Sequence, residues 1–376
     1  MKISTTIAFI ASLVQAHPKP STCNGALYFL DSDPQGASVV SFMIDGRGVL
    51  GEPQRTSTDG RGLIGNGMNG TVTADPLFSQ DSIIVSGNRL FTVNAGSNTL
   101  AAFTIPHDDP SHPVLLGKPA DTVGTTPSTV AYSPKNSIAC VANTGSKPGV
   151  QCFTVTNWGL EPMGGLKPLP IQNQTNPITG PPNTVSDILF NPSETALFVT
   201  IKGNGMSDGF VYAYKVCGGM VSDEAIVSRP MNLPVAFGMT FYTEYSAVIA
   251  TPAYGGAFVS ITDDLNVVTE VNVTVPGQMA NCWAAGYRDS VFLLDAGVAN
   301  ITALNTKTKE VEYTLPGYEM GKGNFDAIVG SSKLYVLQNA PAIATFDLKE
   351  PSCSPQITDL RGLGSRASWT GMAIYS

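Results

Sequence analysis

Charge is what this sequence has least of: Asp, Glu, Lys and Arg make up 13% of its 376 residues, about half the share of an ordinary soluble protein. The formal net charge is −8, and no Lys/Arg run occurs anywhere. That excludes a nucleic-acid footprint, which needs clustered cations against phosphates. It also leaves an anionic membrane surface without an anchor. Histidine is almost missing, with 3 in the chain: His17, His107 and His112. The last two fall in "IPHDDPSHP", a proline-broken segment that reads as a solvated loop rather than a catalytic element. Helical periodicity is nearly absent, which excludes a helical bundle.

Other absences narrow the chemistry. There is no Cys-x-x-Cys pair and no neighbouring His pair, so the cysteines do not spell a zinc site. The glycine-rich stretch "GRGLIGNGMNG" from Gly60 lacks a following Gly-Lys-Ser/Thr and a helix, which excludes a phosphate loop. No Gly-x-Ser-x-Gly elbow occurs with a usable histidine partner. Past the N-terminus, no apolar run is long enough to cross a bilayer, so no membrane span is expected. His17 would sit at a free amine after processing and then be able to take copper. The following Pro-Lys-Pro marks a loose tail, so no metal is expected there.

What is plentiful is glycine (38) and proline (27), in a chain of 43% hydrophobic residues. The opening "MKISTTIAFIASLVQA" has one early cation, Lys2, a short apolar run, and small residues Val14 and Ala16 at a cleavage-like spacing. It reads as a secretory signal peptide over residues 1–16, cleaved after Ala16, which implies an extracellular or secretory-pathway protein. A tail over 17–24 and one domain over 25–376 would follow. Four Asn-x-Ser/Thr sequons agree with export: Asn69, Asn173, Asn272 and Asn300. Six cysteines form an even set suited to disulfides: Cys23, Cys140, Cys152, Cys217, Cys282 and Cys353. Cys140 and Cys152 lie on two apolar runs joined by "NTGSKPG", so a cross-strand disulfide is expected there. Cys23 with Cys353 would tie the chain ends together, and Cys217 and Cys282 remain as candidates.

The apolar runs repeat. "ALYFLDSD", "RLFTVNAG", "SIACVANTG", "ALFVTIKG", "AVIATPAYGG", "SVFLLDAG" and "KLYVLQNA" each open a similar unit, their second residues roughly 43 to 63 apart, near the blade length of a propeller. A second strand follows each run, and most runs are preceded by a strand ending in a polar turn. The first unit lacks that preceding strand. The final "GMAIYS" resembles "GMTFYT" at Gly238–Thr243 and supplies it. The expectation is an all-β, seven-bladed propeller closed by its C-terminal strand, six blades being possible if one unit is irregular.

"FLDSDPQGASVVSFMIDGRG", "DPLFSQDSIIVSGNRLFTVNAGSNTLAAFTI" and "PSTVAYSPKNSIACVANTG" together resemble the lactonase-like seven-bladed propellers, which include 6-phosphogluconolactonases and 3-carboxymuconate cyclases. The resemblance spans almost the whole chain beyond the leader. It implies a histidine, with arginine and glutamate, around the channel mouth. Thr129 stands at the histidine's position, and Ser186–Asp187 open the next equivalent strand. A phosphosugar or tricarboxylate would be poorly held by such a set.

In a propeller, the innermost strands line the channel and their starts form its mouth. Those starts fall near Asp81, Thr129, Asp187, Gly238, Cys282, Phe325 and Gly371. The mouth reads as apolar and aromatic with neutral hydrogen-bonding groups. Thr129, Gln80 and Asn281 are the candidates to hydrogen-bond a substrate oxygen. Ser186, Asp187, Trp283, Phe325, Asp326 and Trp369 are the candidates to bind its body. Asp81, Asp187 and Asp326 read either as a carboxylate cluster or, preferentially, as turn caps. No metal or other cofactor is expected.

Such a pocket suits an uncharged small molecule, oriented by contact and polarised by hydrogen bonds. The organisation is similar to that of secreted fungal propellers that act as hetero-Diels–Alderases in terpenoid secondary metabolism. The first expectation is therefore a cofactor-independent cyclase of a neutral natural product. The alternatives are a lactonase or muconate-type lactonising enzyme with an altered site, and a non-enzymatic cell-surface or wall glycoprotein. The sequence leaves the oligomeric state open.

Overall fold

The computed structural model describes residues 25–315, 317 and 323–376. The expected leader (1–16), the tail (17–24) and Cys23 lie outside the described residues. Seven antiparallel sheets follow one another along the chain and form a seven-bladed propeller. In the first, strands Gly25–Asp31, Ser38–Ile44 and Leu50–Ser57 take their innermost partner from the far end of the chain, Trp369–Tyr375. Leu27 pairs with Ile374 and Ala26 with Tyr375. The ring is thus closed by the C-terminal strand, as the "GMAIYS" repeat implies, and no blade is left with an open inner edge.

The other innermost strands are Ile83–Ser86, Pro127–Ser133, Val185–Phe190, Met239–Thr243, Asn281–Tyr287 and Asn324–Gly330. Blades pack face to face, so a second strand such as Ile138–Asn143 is buried at every residue. This explains why the sequence shows unbroken apolar runs there instead of alternation. The outermost strands, such as Leu160–Pro168, are mostly exposed. Each buried Val, Leu, Ile or Phe side chain between blades contributes about 1.5–3 kcal/mol relative to exposure. On the face that blade 1 turns to blade 7, Phe29 packs on Trp369 with ring centroids 5.3 Å apart, in one cluster with Tyr335 and Leu337.

Cys140 and Cys152 face each other directly in neighbouring strands and form a disulfide, as expected from their runs. Among the described residues, Cys217 and Cys282, which the sequence leaves only as candidates, form no disulfide. Cys217 is exposed at the end of the third strand of blade 4, whereas Cys282 is buried on the innermost strand of blade 6. The sequence cannot see that distance, because both residues end up in unrelated blades.

Candidate functional site

The innermost strands share one irregularity. Each of those in blades 3, 4, 6 and 7 breaks register with its neighbour near its start: Pro127/Thr129, Val185/Asp187, Asn281/Trp283 and Asn324/Ala327. Such a bulge leaves an amide without a ladder partner, and a buried orphan amide is costly. Side chains near the strand starts accept amides at this end, in blade 5 as well, where the start keeps register. Ile188 N donates to Thr129 Oγ1 at 3.2 Å, Met239 N to Asp187 Oδ2 at 2.9 Å, and Ala284 N to Gln80 Oε1 at 2.9 Å. Ala327 N donates to Asp326 Oδ1 at 2.7 Å, and Val130 N to the Asp81 carbonyl at 2.9 Å. Thr129 therefore serves the neighbouring blade as an acceptor, a role for which a hydroxyl suffices.

The strand-start end of the channel is closed by the chain itself. Residues 74–80 run across it and are tied to four blades. Arg366 Nη1 donates to the Ala74 carbonyl (2.8 Å), Lys202 Nζ to the Phe78 carbonyl (2.6 Å), and Trp283 Nε1 to the Ser79 carbonyl (3.1 Å). Ser79 Oγ donates to the Ser128 carbonyl (2.7 Å), and Gln80 N to the Ser186 carbonyl (2.8 Å). A short parallel pair, Asn66–Gly67 with Thr179–Gly180, lies over this segment, and Phe78 packs where side chains on Gly65 or Gly180 would stand. Lys202 is buried, lies 4.4 Å from the Phe237 ring centroid and is lowered to about 7 by burial, while Asp75 pulls it up. Burial lowers Arg366 to about 9.

Beneath the closing segment sit three carboxyl groups. Burial, then the charge of Asp81, raises both Asp187 and Asp326 well above the ordinary carboxylate range. One oxygen of each, Asp187 Oδ1 and Asp326 Oδ2, is buried without a hydrogen-bond partner. Burial raises Asp81 to about 7, against a hydrogen bond from Gln80 that lowers it. Asp81 and Asp326 also hold left-handed backbone, at φ 56° and 66°, an uncommon and strained choice for a side chain outside a turn. Among the described residues, no group of three or more His, Cys, Asp or Glu is arranged to hold a metal ion.

Asp81 alone of the three also lines an open recess. This recess, about 340 Å³, runs along the innermost strands of blades 2, 3 and 4 toward their ends, past Ile84, Ser86, Ala131, Tyr132 and Ile188. Its walls are largely apolar, and Asp81 is the carboxyl at its inner end; Glu194 stands at the strand-end side, hydrogen-bonded by Ser133 and by Lys135 N. A second recess of about 330 Å³ lies between blades 7 and 1, beside Arg47, Lys333, Tyr335 and Asp347. Two ion pairs already stand on its wall, Lys333 to Asp347 and Arg47 to Asp45, with Lys349 beside them.

The structure gathers most of the residues singled out from sequence around the channel, but in a buried state. Thr129, Ser186, Asp187 and Trp369 are fully buried, and Gln80, Asn281, Trp283 and Asp326 nearly so. Ser186 Oγ donates to the Ala236 carbonyl, and Asn281 hydrogen-bonds Gln278 in its own turn. Trp283 packs between Phe237 and Phe325, with ring centroids 5.1 and 5.2 Å away. Phe325 in turn lies under Arg366. The mouth is therefore not a neutral aromatic pocket. It is a polar seal, and the open half of the channel lies at the other end.

Sequence reasoning missed Lys202 and Arg366, each hidden near the end of an ordinary-looking segment ("ALFVTIKG", "GSRAS"). A lysine closing an otherwise apolar strand was the available signal. His112 pairs with Asp109 in its exposed loop. All four sequon asparagines are exposed.

No family model and no curated protein matches the sequence. Solved structures do match the fold. A putative 6-phosphogluconolactonase from Bacteroides fragilis aligns with a TM-score of 0.65 at 10% identity, covering 96% of this chain and 100% of that one. A chain of a nidogen/laminin complex aligns with a TM-score of 0.51 at 9% identity, covering 93% of this chain and 98% of that one. At such identity the likeness concerns the fold alone, since propellers carry many unrelated functions.

Proposed function

We propose that this chain is an exported glycoprotein enzyme acting without a cofactor on an uncharged, carbonyl-bearing small molecule. The substrate lies in the strand-end recess, and Asp81 is the proton-bearing catalytic residue. The observation that carries this reading is the single titratable carboxyl at the inner end of an apolar recess, raised to about 7 by burial. A carboxyl in that range is half protonated near neutral pH, which is where general acid–base catalysis is most effective.

Two reactions fit. In a cyclase, protonated Asp81 donates a hydrogen bond to the carbonyl oxygen of the diene partner. That draws electron density from the carbon framework as two new bonds form, and the proton stays on Asp81. In a lactonase, ionised Asp81 takes a proton from water while the water oxygen attacks the lactone carbonyl. The ring C–O bond then breaks, and the leaving alkoxide receives the proton. The cyclase is favoured because the recess offers an apolar wall to a hydrocarbon body. The Bacteroides fragilis protein of similar fold is named for a phosphosugar lactone. Here the recess lining offers no lysine or arginine to hold such an anion, so lactone turnover is restricted to uncharged rings.

A non-enzymatic role for the glycoprotein is the second reading, and the sealed strand-start end of the channel supports it. The test is direct. Wild-type and Asp81→Asn protein are incubated with metabolite extract from a strain lacking the gene, and with a panel of uncharged lactones. The proposal expects a new product with wild type and a rate about 100-fold or more lower for Asp81→Asn. No product in either assay, or equal rates, would favour the non-enzymatic reading.

A further inference from the structure

Resting on that reading, we infer that the site is one-ended: its ligand enters and leaves by the strand-end face alone, through a collar formed by Ile84 and Ser86. Three independent features lead there. First, the strand-start end is barred by residues 74–80, whose backbone is bonded to Arg366, Lys202, Trp283, Ser128 and Ser186. Breaking several buried hydrogen bonds at once, those from Lys202 and Arg366 among them, is costly enough to make this a wall and not a lid. Second, the recess that reaches Asp81 runs to the strand ends, where Ile84 and Ser86 sit on one face of the strand Ile83–Ser86 and are both partly exposed.

Third, the sequons are distributed unevenly. Asn69 and Asn173 fall in the connections that precede innermost strands, and Asn300 in the turn between the second and third strands of blade 6. All three belong to the strand-start face by the up-and-down order of the strands. Asn272 lies toward the same end of its strand, where it pairs with Ala257 and accepts a hydrogen bond from Tyr254. None of the four falls in a turn of the strand-end face. Glycans at these positions would crowd the sealed end and leave the open one bare. The ligand that fits is uncharged and mainly apolar, with one hydrogen-bonding group to reach Asp81.

The neutral fluorescent probe N-phenyl-1-naphthylamine tests this without knowledge of the substrate. Its binding is titrated against wild type, Ser86→Trp, Ile84→Trp and, on the opposite face, Val72→Trp. The expected result is saturable binding to wild type, at least tenfold weaker in Ser86→Trp and Ile84→Trp, and unchanged in Val72→Trp. Ser86 is partly exposed at the rim, so its variant decides the matter if Ile84→Trp fails to fold. Unchanged binding in Ser86→Trp, loss of binding in Val72→Trp, or no binding by wild type would overturn the inference. Turnover and probe binding fail separately: collar-sensitive binding with no product from wild type, or with equal rates for wild type and Asp81→Asn, retires the chemistry and keeps the entrance.

Discussion

A Cβ on Gly238 would overlap the side-chain oxygen of Gln80. Gly238 is not in left-handed backbone, so the glycine is there for space. Through that space Gln80 crosses from blade 4, where it meets Asp187, to blade 6, where it accepts the Ala284 amide. Gln80 thus works as a strut beside Asp81 and not as a group facing substrate.

Gly238→Ala should therefore destabilise the fold by about 1–3 kcal/mol through overpacking and lower turnover as well. Gln80→Ala alone orphans the Ala284 amide at a cost of about 1–3 kcal/mol. The double variant should cost less than the sum, since the clash is removed along with the strut. Urea denaturation of all three variants measures this, and strict additivity would contradict the proposed contact.

Stability should fall as pH rises through the acid range. Asp81 titrates near 3.8 when exposed and near 7 in the fold, so the native state binds the extra proton between these values. Asp75, raised by burial to about 6, acts in the same direction, as do Asp187 and Asp326. A raised carboxyl contributes stability below its unfolded pKa, and that contribution is lost as pH passes the folded one. Lys202 works the other way above about 7, because the fold holds it neutral. Urea midpoints at pH 4.5, 6 and 7 should therefore decline for wild type. For Asp81→Asn, which carries no titrating proton, the decline should be shallower; equal slopes would count against Asp81.

The Cys140–Cys152 bridge closes a separation of 12 residues within blade 3. Replacing both cysteines with alanine should lower stability by about 2–3 kcal/mol. Differential scanning calorimetry would read this as a lower Tm with an intact fold. The recess around Asp81 should still bind its probe, because Cys140 and Cys152 lie on the second and third strands and not on the channel wall.

Trp283→Ala should cost about 3–5 kcal/mol, because the ring fills the space between Phe237 and Phe325. Trp283→Phe should cost less and keep most activity, losing mainly the hydrogen bond to Ser79. If Trp283→Phe abolished turnover with stability unchanged, the ring would have to touch substrate after all.

Blade number and ring closure were legible because each unit repeats an apolar run followed by a second strand, and because "GMAIYS" lacks a partner of its own. The channel's character was not. A one-residue bulge at the strand starts turned Thr129, Asp187 and Asp326 into acceptors for stranded amides, and no local pattern announces a bulge. The seal was hidden for a different reason. "DPLFSQ" reads as a loop, and its partners Lys202, Trp283 and Arg366 are between 120 and 300 residues away in sequence, roughly. Asp81 is legible as one of three aspartates read as a carboxylate cluster or, preferentially, as turn caps, and nothing local sets it apart, because its raised pKa comes from burial that the fold alone supplies.

The most direct test is a titration of aspartate side-chain carboxyl carbons by ¹³C NMR, with Asp81→Asn used to assign the Asp81 signal. The account predicts that the signal missing from the variant changes protonation near pH 7 and shifts when a neutral carbonyl ligand binds. An Asp81 signal that titrates near 3.8 and ignores the ligand would contradict it.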